Sequence, residues 1–224
     1  MELKDICIYS YIKDYLDEIP IVKYKKGEYI THSDENLEEI FFILEGNVKI
    51  EIVTKYGKNF LVDTLSENEF VGKISYIYEQ NLFCDITSTS NSSLLKINKN
   101  IFKKLQQNSE FLNIFFYKTS KRMYYMYKKL MMKDLFRLEE LLAFYILKNS
   151  QEDIFKYDSM YGICKTLSVS RKNLYNTINK FIEKGCIKKD ENSITILDKN
   201  YLYELSMYVR EFNKKDSHDF KFDI

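Results

Sequence analysis

Between Lys4 and Ile19 the apolar residues Ile6, Tyr9, Ile12, Leu16 and Ile19 recur at helical spacing, and the chain's single proline, Pro20, follows at once. Proline lacks a backbone donor and blocks the preceding turn, so the spacing predicts one helix ending at Ile19. From Ile21 to about Ile97 the pattern changes to short apolar or alternating runs over residues 40–44, 48–52, 60–65, 84–89 and 93–97. Turn signals at Glu45-Gly46-Asn47 and Tyr56-Gly57-Lys58-Asn59 punctuate them. Short strands at such close intervals predict an antiparallel sandwich or barrel.

A helical period returns at Ser109. Leu112, Phe116, Thr119, Met123, Met126 and Leu130 are spaced 4, 3, 4, 3, 4, which is a heptad a/d seam. Taken alone, such a stripe reads as core more often than as interface. Tyr124, Tyr125 and Tyr127 lie off the seam, placed to cover the strand domain. Lys133-Asp134-Leu135-Phe136 interrupts the register, and Leu138, Leu141, Leu142, Tyr145 and Ile146 begin a new amphipathic helix, which predicts a hinge between the two.

Ser159 to Gly185 reads as two short helices around a tight turn. Ile163, Cys164 and Leu167 form the apolar face of the first, Ser168 and Val169 fall at the turn, and Leu174, Ile178, Phe181 and Ile182 repeat on the second. Ser170 is a fitting N-cap and Gly185 a fitting left-handed C-terminal residue. The polar face carries Arg171, Lys172, Asn173, Tyr175, Asn176, Asn179 and Lys180. Next, Cys186 to Lys189, a polar turn at Asp190 to Ser193, and Ile194 to Leu197 predict a two-stranded wing. Leu202, Leu205, Tyr208, Val209 and Phe212 predict a closing helix, and residues 213–224 a disordered tail.

Charge sharpens this picture. The 34 basic and 33 acidic residues leave the whole chain at +1, yet Lys165 to Lys189 holds seven basic residues against one acid, a local charge of +6. Attraction to nucleic acid is therefore expected from a local patch and not from the chain as a whole. At 224 residues and 45% apolar content the chain has room for two domains with their own cores. With no apolar run approaching membrane length and no basic-then-apolar leader, the expectation is a cytoplasmic protein without a membrane partner. Cys7, Cys84, Cys164 and Cys186 are scattered, and only His32 and His218 accompany them. That spacing suits reduced thiols and predicts neither a metal site nor an iron–sulfur cluster; no cofactor is expected. No nucleophile, base or phosphate-loop arrangement stands out, so the expectation is a protein that is not an enzyme.

Lys25 to Ile30 and Ile40 to Ile50 resemble the opening of the cyclic-nucleotide-binding β-roll of Crp/Fnr transcription regulators, Phe70-Val71-Gly72 resembles the start of its phosphate-binding cassette, and the predicted winged helix has the matching position and polarity. The resemblance covers about residues 20 to 200. It implies an α+β fold with an N-terminal antiparallel β-roll (double-stranded β-helix) sensor at 1–108, a dimerisation helix and hinge at 109–133, and a winged helix-turn-helix at 134–212. It also makes the heptad stripe a homodimer seam, which suits two recognition helices spaced about 34 Å apart on successive major grooves of double-stranded DNA. RNA polymerase is the further partner implied for an activator.

Site residues follow from the same resemblance. Arg171, Lys172 and Asn176 fall where family members reach base edges, and Ser170, Asn173, Tyr175, Lys180, Lys188 and Lys189 are placed for phosphate. Lys172 departs from the acidic residue common at its position. In the cassette, Gly72 is followed by Lys73 where nucleotide-binding members carry an acid for the ribose, and Phe83, next to Cys84, stands where they carry an arginine for the phosphate. Losing that bidentate partner costs about 2–5 kcal/mol. The cassette reads as degenerate, and the implied effector is something other than cyclic AMP. An effector-gated small-molecule or redox sensor of the same fold, with a non-nucleotide ligand in the β-roll or between domains, is the alternative reading.

Overall fold

A computed structural model describes residues 3–35, 39–54, 59–72 and 84–214. These form two compact units that divide between Met126 and Tyr127.

In the first unit the N-terminal segment is not one helix. It breaks into a 3-10 turn at Leu3–Asp5, a single α turn, α1 (Tyr9–Ile12), and a 3-10 stretch at Lys13–Glu18. Ile6 and Ile8 are both buried, and two residues apart on a straight α-helix they would point about 200° from each other. The chain bends so that both reach the core.

Among the described residues eight strands follow: β1 (Ile21–Tyr24), β2 (Tyr29–Thr31), β3 (Glu39–Glu45), β4 (Val48–Val53), β5 (Asn59–Leu65), β6 (Phe70–Val71), β7 (Asp85–Ser88) and β8 (Ser92–Asn98). They build two antiparallel four-stranded sheets, ordered β1-β8-β3-β6 and β2-β7-β4-β5. The antiparallel fold class expected from the run lengths is present. The turn expected at residues 56–59 lies mostly outside the described residues, since only Asn59 is placed, as the first residue of β5.

Strand β3 reads as an unbroken apolar run because both its faces are buried. Phe41 and Ile43 join Val48, Leu65, Val71, Ile86 and Leu94 in one cluster. Ile40 and Phe42 face the opposite way, into a larger cluster with Phe70, Phe102, Phe111 and Phe115. Gly46 turns the chain from β3 to β4 at φ +93°, and a Cβ there would lie 2.6 Å from the Asn91 carbonyl oxygen and 2.8 Å from Ser92 Cβ. Only glycine fits both the conformation and the contact.

After β8, Asn98 caps α2 (Lys99–Leu105) through its side chain, which accepts from Ile101 N–H. Asn108 Oδ1 accepts from the N–H groups of Glu110 and Phe111 at 3.0 Å each, starting α3 (Ser109–Leu135), a 27-residue helix. The helix runs through Lys133 and Asp134, and the next begins at Leu138, so the register break lies slightly later than its sequence signal. Division of the units at Met126/Tyr127 falls inside α3.

The second unit contains α4 (Leu138–Asn149), β9 (Ile154–Lys156), α5 (Met160–Leu167), α6 (Arg171–Glu183), β10 (Ile187–Lys189), β11 (Ser193–Ile196), α7 (Lys199–Leu205) and α8 (Met207–Lys214). Strand β9, which the pattern did not announce, pairs with β11 to make a three-stranded sheet ordered β10-β11-β9. The expected closing helix is two helices, broken at fully buried Ser206, whose hydroxyl donates to the Leu202 carbonyl at 2.7 Å. Asn213 and Lys214 belong to α8, and the rest of the predicted tail lies outside the described residues. One core serves the unit: Leu142, Ile146, Phe155, Ile163, Leu174, Ile178, Phe181, Ile187, Ile194 and Leu202 are among its members.

Candidate nucleic-acid interface

Helix α5 starts where Ser159 Oγ accepts from Gly162 N–H at 3.0 Å. It ends at Ser168, whose backbone is left-handed at φ 53°, ψ 46°. Val169 N–H returns to the Cys164 carbonyl at 3.0 Å, which tightens the turn. Ser170 then caps α6, its Oγ accepting from Asn173 N–H at 3.2 Å. The turn and cap lie where the pattern predicts them.

Helix α6 divides sharply by face. Leu174, Thr177, Ile178 and Phe181 are buried, whereas Arg171, Lys172, Asn173, Asn176, Asn179 and Lys180 are exposed. Ile182, assigned by periodicity to the apolar face, is 40% exposed, while its neighbour Phe181 and Ile178 one turn earlier fill the core. The first turn of α6 carries no acid. Arg171 and Lys172 therefore sit at the positive end of the helix dipole, a placement that costs about 0.3–1 kcal/mol per charge. Two cations held there against the local electrostatics point to an anionic partner.

The cations of this face differ in what holds them. Lys180 Nζ donates to Glu139 Oε1 on α4 at 2.8 Å. That bond, aided by a hydrogen bond from the carboxylate's own backbone N–H, keeps Glu139 below the usual carboxylate range. Lys184 Nζ donates to the Tyr201 hydroxyl at 2.7 Å. Arg171 lies over the Tyr175 ring, its guanidinium carbon 5.7 Å from the centroid. In the β10–β11 pair, which matches Ile187 with Ile196 and Lys189 with Ile194, Lys188 Nζ is 3.4 Å from Asp190 Oδ1 and Lys189 Nζ donates to the Asp190 carbonyl at 3.2 Å. The acidic turn thus draws the strand lysines toward itself, a partnership that a charge count along the sequence does not reveal.

The heptad stripe divides between two faces of α3. Phe116, Met123 and Leu130, seven residues apart, are 48%, 50% and 56% exposed. Leu112 and Met126 are half-buried, but Thr119 is buried at 4% and donates its hydroxyl to the Phe115 carbonyl. Thr119 follows the face of Phe111 and Phe115, which pack into the β-roll core, because four-residue steps keep that row aligned. Tyr124, Tyr125 and Tyr127, placed by the pattern to cover the strand domain, are 50%, 47% and 64% exposed, and Arg122 makes a contact to the strands, bonding Asp63 and Thr64 of β5. No pattern in the sequence links Arg122 to Asp63.

In the cassette, Gly72 follows β6 and Cys84 precedes β7. Lys73 and Phe83 lie outside the described residues. Burial, with the Asp85 charge adding to it, pushes the Cys84 thiol up, and burial does the same to Cys164 and Cys186. His32 stacks on Tyr29 with centroids 4.1 Å apart. Among the described residues no group of three or more His, Cys, Asp or Glu side chains is placed to hold a metal ion, and no helix is long and apolar enough to cross a membrane.

Comparison with known proteins places this geometry. Residues 21–109 match the cyclic nucleotide-binding domain family. No curated protein matches the chain by sequence. Among solved structures it is similar to a CRP/FNR-family transcriptional regulator of Thermus thermophilus, with 18% identity, TM-score 0.64, and coverage of 84% of this chain and 98% of the other. A putative transcriptional regulator of the same family from Eubacterium rectale gives 17% identity, TM-score 0.68, and coverage of 88% and 93%. The c-di-GMP-responsive global regulator CLP of Xanthomonas campestris gives 14% identity, TM-score 0.69, and coverage of 84% and 98%. The chain thus carries a match to the cyclic nucleotide-binding domain family over residues 21–109 and has the fold seen in the CRP/FNR transcriptional regulators.

Proposed function

We propose that the protein is a dimeric, sequence-specific DNA-binding regulator of transcription, with α5, α6 and the β10–β11 wing as its winged helix-turn-helix. The observation that carries this reading is the exposed face of α6, where Arg171, Lys172, Asn173 and Asn176 stand together without an acid in the first turn. Arg171 and Asn176 are the base readers, suited to guanine and adenine respectively. Ser170, Asn173, Lys180, Lys188 and Lys189 grip phosphate, and Lys172 serves either task. The Phe116, Met123 and Leu130 row of α3 is the dimer contact, which gives the two-fold symmetry that a pseudo-palindromic operator requires. RNA polymerase is the partner if the regulator activates. Residues 1–108 form the sensor, 109–133 the dimer helix and hinge, and 134–212 the DNA module.

Selection of bound duplexes from a random library by the purified, ligand-free full chain tests the reading. The expected result is a two-fold symmetric motif with half-sites one helical turn apart. Absence of any enriched sequence overturns effector-independent regulation.

A second reading, the effector-gated sensor, is favoured by a hollow of ≈ 450 Å³ on the β2-β7-β4-β5 sheet, with Lys26, Lys49, Glu51, Asp85 and Thr87 in its wall. Under it, enrichment appears only once a charged small molecule is added. With Lys73 and Phe83 at the cassette positions for ribose and phosphate, cyclic AMP is not the expected molecule.

A further inference from the structure

We propose that Tyr175 is a positioning residue that orients the Arg171 guanidinium for base reading, an inference that rests on the DNA-binding reading above. Arg171 and Tyr175 are four residues apart on α6, so their side chains share a face, and the guanidinium lies over the ring at 5.7 Å. The ring itself is anchored, being half-buried and packed against the core of the second unit.

The contrast with neighbouring cations gives the arrangement its meaning. Lys180 spends a donor on the Glu139 carboxylate and Lys184 spends one on the Tyr201 hydroxyl. Among the described residues no carboxylate bridges Arg171. A carboxylate partner would occupy the in-plane N–H fork that a guanine O6/N7 pair needs. An aromatic platform holds the guanidinium by its face and leaves the fork vacant. A long side chain otherwise spread over many rotamers is thereby restrained before DNA arrives, and less freedom is lost on binding. Tyr175 acts through its ring and not through its hydroxyl.

The test compares the full chain and its Tyr175→Phe and Tyr175→Leu variants on the duplex recovered by library selection and on a scrambled duplex. The ratio of specific to non-specific affinity is the readout, because it does not depend on the fraction of a variant that folds. Tyr175→Leu is expected to lower the ratio about threefold, with the loss confined to the base pair at which Arg171→Ala relaxes preference. Tyr175→Phe is expected to keep the wild-type ratio. A Tyr175→Leu ratio equal to wild type, or a Tyr175→Phe variant that loses affinity for both duplexes alike, overturns the inference and leaves the DNA-binding reading standing. If the wild-type chain enriches no sequence, with or without small molecules, both fall together.

Discussion

Arg122 holds Asp63 across 59 residues of chain: its Nε donates to Asp63 Oδ2 at 3.0 Å, and its Nη2 donates to Asp63 Oδ1 and, at 2.7 Å, to the Thr64 carbonyl. The pair is largely shielded, with side chains 25% and 15% exposed, and its fork geometry is the strong form of a charge-assisted bond. It fastens α3 to β5. Arg122→Ala is expected to destabilise the chain by about 1–3 kcal/mol, and Arg122→Lys to recover only part of that because an ammonium cannot form the fork. A double-mutant cycle with Asp63→Ala, read by denaturant unfolding, checks it; additive losses would dissolve the coupling.

Gly46→Ala places a methyl group against the Asn91 carbonyl oxygen and the Ser92 side chain while demanding φ near +93° of a residue with a Cβ. Loss of about 2 kcal/mol or more follows from strain and overlap together. Thermal melting of the variant beside wild type gives the number.

Leu130→Glu and Met123→Glu put charge into the exposed apolar row of α3 without touching either core. Each is expected to weaken self-association by about 2 kcal/mol or more, roughly thirtyfold. Sedimentation velocity over a dilution series measures it. A change at Thr119, buried beside Phe115, is expected to alter folding stability and leave association nearly unchanged.

Arg171→Ala is expected to cost about 1–3 kcal/mol on the selected duplex and far less on a scrambled one. Lys188→Ala should weaken both alike and flatten the salt dependence by at most about 0.9 in slope, since Lys188 already shares Asp190. Competition assays at several salt concentrations separate the two roles; equal losses for both variants would remove Arg171 from base reading.

Glu139 is held below the ordinary carboxylate range, foremost by the hydrogen bond from Lys180. Its native pKa is depressed, so the contribution is fully present above the unfolded value of about 4.3 and is lost as pH falls through the native value. The pair is partly exposed, and a few tenths of a kcal/mol is the expected size. Melting temperatures between pH 6 and pH 3 should show wild type converging on Glu139→Gln at the acid end. A constant gap across that range would detach the carboxylate's charge from stability.

Much of the architecture was legible because it is written in local periods. The strand runs around Phe41, Ile50 and Leu95, the cap at Ser170 and the left-handed Gly185, at φ +70°, all depend on residues within a few positions of one another. The N-terminal helix failed on the same test: Ile6 and Ile8 are both drawn into a core built by distant residues, and that demand overrides a period satisfied on paper. Strand β9 was missed because three residues, Ile154 to Lys156, carry too little pattern to register before β11 is there to pair with them.

The sequence by itself determined which residues share a face: the α6 surface of Arg171, Asn173 and Asn176, the concentration of charge from Lys165 to Lys189, and the heptad stripe of α3. Tertiary structure alone decided which face is covered and which cation is taken. It buried Thr119 while leaving Tyr124 and Tyr127 half or more exposed, joined Arg122 to Asp63, drew Lys180 to Glu139, and fixed against the core the ring on which Arg171 lies. The physical reason is range. Helical and strand periods act over a few residues, whereas burial and ion pairing are settled by whatever surface the rest of the chain brings alongside.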